Sequence, residues 1–166
     1  MDFVTAVKTC FRKYFRFGGR ARRSEFWYWA LFTIVAGMIL GVIDVLLFDG
    51  VTEELSPVST LFSLVTFIPG LAVSWRRLHD INRSGWWVGG MYLAVFVFAV
   101  LVGISAVISG DIDLPPSVLS VIGIVALIGI VAWGIALLVF FCTDTKSGDN
   151  RFGEDPKYGV GNSVFD

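Results

Sequence analysis

Apolar residues in this chain come in long unbroken runs, not in the stripes that pack a soluble helix onto a core. Four runs stand out, from about Phe26 to Phe48, Pro57 to Trp75, Trp86 to Ile108 and Val118 to Cys142. A helix rises about 1.5 Å per residue, so about 20 residues cross a hydrocarbon layer of about 30 Å. The third and fourth runs carry no charge and are hydrophobic on every side. Helices of soluble proteins mostly keep a polar face. The pattern predicts an all-α integral membrane protein, a bundle of four transmembrane helices.

The first residues follow a different rhythm. Phe3, Val7, Cys10, Phe11, Tyr14 and Phe15 recur at helical spacing, with Lys8, Arg12, Lys13 and Arg16 between them. The segment from Asp2 to Phe17 therefore predicts an N-terminal amphipathic helix lying in the membrane interface. Each basic residue near anionic lipid adds about 1 kcal/mol to its hold there. The organisation read from these patterns is an amphipathic and basic segment over 1–25, a transmembrane domain over 26–142 and a tail over 143–166. The tail is rich in Gly, Asp and Asn and reads as a loop.

Composition agrees with the runs. Hydrophobic residues make up 55% of the chain and charged residues 16%, against about 25% charged in soluble domains. Where the charges lie is more telling. All thirteen Lys and Arg fall before the first run, between the second and third, or after the fourth. The remaining two loops hold only acids: Asp49, Glu53, Glu54, Asp111 and Asp113. Positive residues stay inside, so both termini are expected in the cytoplasm. Cys10 and Cys142 then face a reducing compartment and are too few for a disulfide scaffold. The basic lead before Phe26, with no small-residue cleavage site after the first run, does not read as a cleavable signal peptide.

The densest polar stretch runs from Trp75 to Trp87 and holds Arg76, Arg77, His79, Asp80, Asn82 and Arg83. Arg77 or Arg83 is expected to pair with Asp80 in a partly dry setting, where such bonds are strong. His79 alone makes a poor zinc site, which needs three or four ligands. Convergence of Cys10, Cys142, Asp80 and Asp144 on it has no spacing motif in support. No nucleophile–base pair or phosphate loop appears, so no catalytic residue, metal site or cofactor is assigned. A His79–Asp80 base and orienter would rest on adjacency alone. Asp44 is the one ionisable residue inside a run. At mid-membrane it would suggest an ion path, but it lies near the outer end, where an interfacial role is the simpler reading. Pro69-Gly70 should kink the second run. Gly37 and Gly41 permit close helix approach. Arg23-Ser24-Glu25-Phe26-Trp27 echoes Arg83-Ser84-Gly85-Trp86-Trp87. Convergence on interface-loving residues explains this more simply than a repeat.

Three blocks together resemble the bacterial inner-membrane family called domain of unknown function 805. They are Tyr14 to Trp27, with Phe17-Gly18-Gly19-Arg20 at their centre; Arg77-Leu78-His79-Asp80-Ile81-Asn82-Arg83-Ser84-Gly85-Trp86-Trp87; and Gly148-Asp149-Asn150-Arg151-Phe152-Gly153-Glu154-Asp155-Pro156. Gly19 stands where Lys is more usual. The resemblance implies a bacterial inner-membrane protein without established catalytic residues, and that the three blocks belong together.

The combined expectation is a four-helix bundle with a polar cytoplasmic cap. Arg20, Arg22, Arg23, Arg76, Arg77 and Arg83 would meet phosphate or acidic groups, with Glu25, His79, Asp80, Asn150 and Arg151 completing the surface. Trp86 and Trp87 would set the depth of the third span. The expected role is non-enzymatic. Membrane lipids are the expected partners, with a protein partner or a second copy also open, and nucleic acid is not expected. A small oligomeric transporter or channel component is the alternative, motivated by Asp44 and Pro69-Gly70.

Overall fold

A computed structural model describes residues 1–48, 56–108 and 116–156, without the side chains of 105–108, 116–120 and 122. The acidic loops holding Asp49, Glu53, Glu54, Asp111 and Asp113, together with Lys157, lie outside the described residues. Among the described residues the elements are five helices: α1 Phe3–Arg12, α2 Arg23–Leu47, α3 Pro57–Asp80, α4 Trp86–Ile108 and α5 Pro116–Cys142. The last four are long and apolar enough to cross a membrane. Among the described residues there is no strand, only one bridge between Asn150 and Gly153.

Burial is inverted relative to a soluble domain. The largest fully buried side chains include Arg76, Arg77 and Asp80, while Met38 is 69% and Leu46 76% exposed. A large apolar exterior around a charged interior is stable only in a hydrocarbon solvent. The chain is therefore an integral membrane protein.

The helix ends show local chemistry at work. α1 begins at Asp2, whose carboxylate accepts from the Thr5 N–H at 3.1 Å, an ordinary N-cap. It ends at Arg12, short of the Phe17 expected from periodicity. α3 runs five residues past the expected Trp75, to Asp80. There it closes in a Schellman motif: the Arg83 N–H donates to the Leu78 carbonyl, the Asn82 N–H to the His79 carbonyl. Asn82 takes the left-handed conformation that the motif needs, at φ 61°. The Arg-His-Asp run is thus helix end, not loop. Ser84 then accepts from the Trp86 N–H at 3.3 Å at the start of α4. α2 has no side-chain cap, and Ser24 lies inside it. The two Arg-Ser echoes therefore differ in role.

Packing among α1, α2 and α3 carries much of the fold. Phe11 meets Trp29 edge-on at 5.1 Å and Phe3 meets Tyr28 at 5.9 Å. Pro69 has no N–H to give the carbonyl four residues earlier, that of Val65. Tyr14 Oη donates to that carbonyl at 2.7 Å instead. Gly85 is fixed by contact, since a Cβ there would lie 2.0 Å from Trp75 Nε1.

Asp44 is 2% exposed. Its carboxylate accepts from the Val58 N–H at 2.9 Å and the Ser59 N–H at 2.8 Å. It caps the N-terminus of the neighbouring helix α3, where Ser56 makes no side-chain cap. Helix starts leave free N–H donors and favour negative charge. Asp44→Ala should therefore cost about 1–2 kcal/mol, the usual loss of an N-cap, with Asp44→Asn closer to wild type. Thermal unfolding in detergent checks this; an unchanged Asp44→Ala midpoint would remove the capping role.

Candidate functional site: the polar cap

At the end of the bundle where α1, α3 and α5 finish, three arginines are buried. Each holds one carboxylate and a set of carbonyls that helix or loop geometry leaves without donors. Arg20 Nε donates to Asp80 Oδ1 at 3.0 Å. Its other nitrogens reach the Lys146 and Gly148 carbonyls, each at 2.7 Å. Arg77 Nη1 donates to Asp80 Oδ2 at 2.5 Å. Arg77 also donates to the carbonyls of Phe141 and Thr143, at the C-terminal end of α5. Arg76 Nη2 donates to Glu25 Oε1 at 2.7 Å and Nη1 to the Arg16 carbonyl at 2.6 Å, just beyond α1. Cations at helix C-termini oppose the negative end of the dipole as well as filling orphan acceptors.

Asp80 is the hub. Both oxygens are engaged, by arginines on either side, and it is 0% exposed. Its neighbour His79 fastens two further segments. The Gly19 carbonyl lies 3.1 Å from His79 Nδ1; a carbonyl only accepts, so Nδ1 carries the proton. Phe152 stacks on the imidazole at 3.8 Å with the planes 3° apart. The Asn150 amide donates to the His79 carbonyl at 2.9 Å. The tail closes on itself through paired backbone bonds between Asn150 and Gly153, and the Asp155 carboxylate accepts from the Gly148 N–H. Glycine serves at 148 and 153, where φ is 86° and 139°.

The expected pairing of Asp80 with Arg77 is present, and Arg20 joins it from 60 residues away. Arg83 is elsewhere, exposed, with its guanidinium 5.2 Å above the Phe140 ring. Arg22 donates to the Pro156 carbonyl. Arg23 is exposed, 3.8 Å from Asp144. Arg151 lies over Phe152 at 4.6 Å. Trp86 and Trp87 begin α4, both exposed, and the Trp87 carbonyl accepts from Trp133 Nε1. Sequence reasoning missed the Glu25–Arg76 pair and the place of Cys10 beside it, with Sγ 4.0 Å from Glu25 Oε1. Burial, with Glu25 adding, pushes the Cys10 thiol up to about 12. Among the described residues, no three His, Cys, Asp or Glu side chains gather as a metal site would require.

Comparison with known proteins fits this geometry. The family described as "Protein of unknown function (DUF805)" matches residues 14–154, a span that takes in the first two converging blocks and all but the last two residues of the third. The chain is 37% identical to the inner membrane protein YhaI of Escherichia coli K12 over 148 residues, covering 89% of this chain and 92% of that protein. It is 30% identical to the inner membrane protein YhaH of the same organism over 157 residues, covering 95% and 98%. No solved structure matches the chain.

Removing one partner from a buried ion pair leaves an uncompensated charge and costs about 3–5 kcal/mol. Asp80→Asn strands two cations and should lower the unfolding midpoint in detergent more than any neutralisation of an exposed arginine; equal effects would contradict the hub. Thiol labelling gives a second check. Cys142 is exposed and Cys10 buried, so maleimide should modify only Cys142 until the protein unfolds.

Proposed function

The chain belongs to the DUF805 family, and on that premise we propose that it is a non-enzymatic inner-membrane protein whose cytoplasmic cap holds anionic lipid headgroups. One observation carries the reading: the cap's charge is divided into two sets. Arg20, Arg76 and Arg77 are buried and committed to partners inside the chain. Lys8, Arg12, Arg16, Arg23, Arg83, Lys146 and Arg151 are exposed at the same end of the bundle. The first set builds a rigid platform, and the second presents charge to the headgroup layer. Arg22, Arg23 and Ser24 also border a cleft of about 320 Å³ with Asp144 and Thr145 on its far side, at the uncapped start of α2. Free helix N–H groups beside arginines suit a phosphate oxygen.

The placement of cations supports both termini in the cytoplasm, with α1 at that interface and Trp86 and Trp87 marking its depth. The transporter alternative is weakened by the same structure. Asp44 is occupied as a helix cap and the carbonyl freed by Pro69 is filled by Tyr14. A protein partner would compete for the same exposed cations.

Native mass spectrometry of the purified protein tests the reading. Wild type should retain phosphatidylglycerol in preference to phosphatidylcholine. Arg16→Gln, Arg23→Gln and Arg83→Gln should each weaken retention about fivefold, from about 1 kcal/mol per cation. Retention without headgroup preference, or a triple variant indistinguishable from wild type, would sink the proposal. Cross-linking in native membranes reads out a protein partner instead.

A further inference from the structure

Below the cap the helices leave open clefts between them. Two cavities adjoin there. One, of about 320 Å³, lies among α2, α3 and α4, with Trp29, Thr33, Gly37, Thr66 and Gly70 on its walls. The other, of about 310 Å³, lies among α3, α4 and α5. Ser74 and Tyr92 line both. Phe26 of α2 and Phe141 of α5 meet at 4.3 Å near the cap, their rings tilted by 31°, each bordering one of the cavities.

The walls state what could enter. No Asp, Glu, Lys, Arg or His lines either cavity, so an ion or charged solute would be stripped of water without compensation. Most wall hydroxyls are turned onto their own helices: Thr33 to Ala30, Thr66 to Phe62 and Ser74 to Gly70 carbonyls. Two donors are not. Trp29 is 3% exposed, its ring is held by Phe11 and Phe32, and its indole nitrogen points past Gly70, 3.4 Å from where a Cβ would stand. Tyr92, on the facing wall, is 51% exposed, and neither its hydroxyl nor the Trp29 N–H meets an acceptor among the described residues. A donor that faces a cleft opening to hydrocarbon, with no water to bond, is costly without a partner.

Depth narrows the choice. Trp29 and Tyr92 each lie six residues inside the cap ends of their helices, or ~9 Å at 1.5 Å per residue. The headgroup layer is several ångströms thick on each face. Donors at that depth sit where the ester carbonyls of a glycerolipid begin its hydrocarbon chains. A helix from a second copy is about 10 Å across and does not fit such a space.

We infer that this cleft binds one glycerolipid, with an acyl chain between α2, α3 and α4 and its ester carbonyl accepting from Trp29 and Tyr92. The site reads the ester and the chain, not the headgroup, and so is independent of the exposed cations.

The test is native mass spectrometry after delipidation and re-addition of phosphatidylethanolamine or phosphatidylglycerol. Wild type should keep one lipid of either kind. Gly37 lines the cleft and a Cβ there meets nothing within 4 Å, so Gly37→Leu fills the space without strain and should abolish that lipid while leaving the unfolding midpoint intact. Trp29→Phe should weaken retention about fivefold, the effect of one net hydrogen bond, and Arg83→Gln should leave it unchanged. Full retention in Gly37→Leu, no retained lipid in wild type, or a retained molecule whose mass is not a glycerolipid would each overturn the inference. Retention of phosphatidylglycerol alone, lost on neutralising arginines, would overturn it too while leaving the headgroup reading standing.

Discussion

A carboxylate removed from water must keep its cations, and in this protein that requirement falls on Asp80. Both its oxygens are taken, one by Arg20 and one by Arg77. Arg20 reaches on to the tail and Arg77 to the end of α5. The residue beside each completes the pattern, with Arg76 binding Glu25 of α2 and the segment after α1, and His79 binding Gly19 and Phe152. Four positions in the last turns of one helix therefore tie down the segment after α1, the start of α2, the end of α5 and the tail. Lipid cannot do this, because it provides no driving force that prefers one helix against another. Directional charge-assisted bonds can.

The same logic explains why arginine, not lysine, occupies these positions. A planar fork with five donors can satisfy a carboxylate and several carbonyls at once, whereas an ammonium offers three donors from one point. Arg20 and Arg77 each use that capacity, and the acceptors they fill are the ones that helix ends and turns leave open. Buried ion pairs are often neutral for stability on balance. Their contribution here is one of specificity: a hydrophobic cap would be indistinguishable from the surrounding bilayer and would leave the helix ends unsatisfied.

Much of this was legible in the chain. The four spans follow from uncharged length, and the concentration of polar chemistry at one end follows from the placement of Lys and Arg. The three blocks that belong together do converge. What periodicity could not show was how α3 ends. Arg76, Arg77, His79 and Asp80 break the apolar run and so resemble a loop, yet helical spacing is what turns Arg77 and Asp80 toward each other, and partners some sixty residues away hold them. Asp44 was visible as an anomaly, but its role depends on α3 beginning beside it. Pro69 announces an orphan carbonyl at Val65; nothing local names Tyr14 as the donor. These are tertiary facts, and a single sequence carries them only as unmatched donors and acceptors.

The contrast between cap and interior completes the picture. At the cap, the buried arginines meet carboxylates and carbonyls, with Arg76 Nε alone unpartnered among the described residues, and removing one partner strands another. A few turns below, clefts open between the helices, a Cβ on Gly37 would meet nothing within 4 Å, and the Trp29 and Tyr92 donors meet no acceptor among the described residues. An unfilled cleft forfeits contacts on its walls. The ionic cap, the Asp44 cap at the opposite end of α2 and the packing of α1, α2 and α3 hold the helices in spite of it. The division leaves the middle free to be completed by a molecule from the membrane, whose chain supplies the missing contacts and whose carbonyl supplies the missing acceptor.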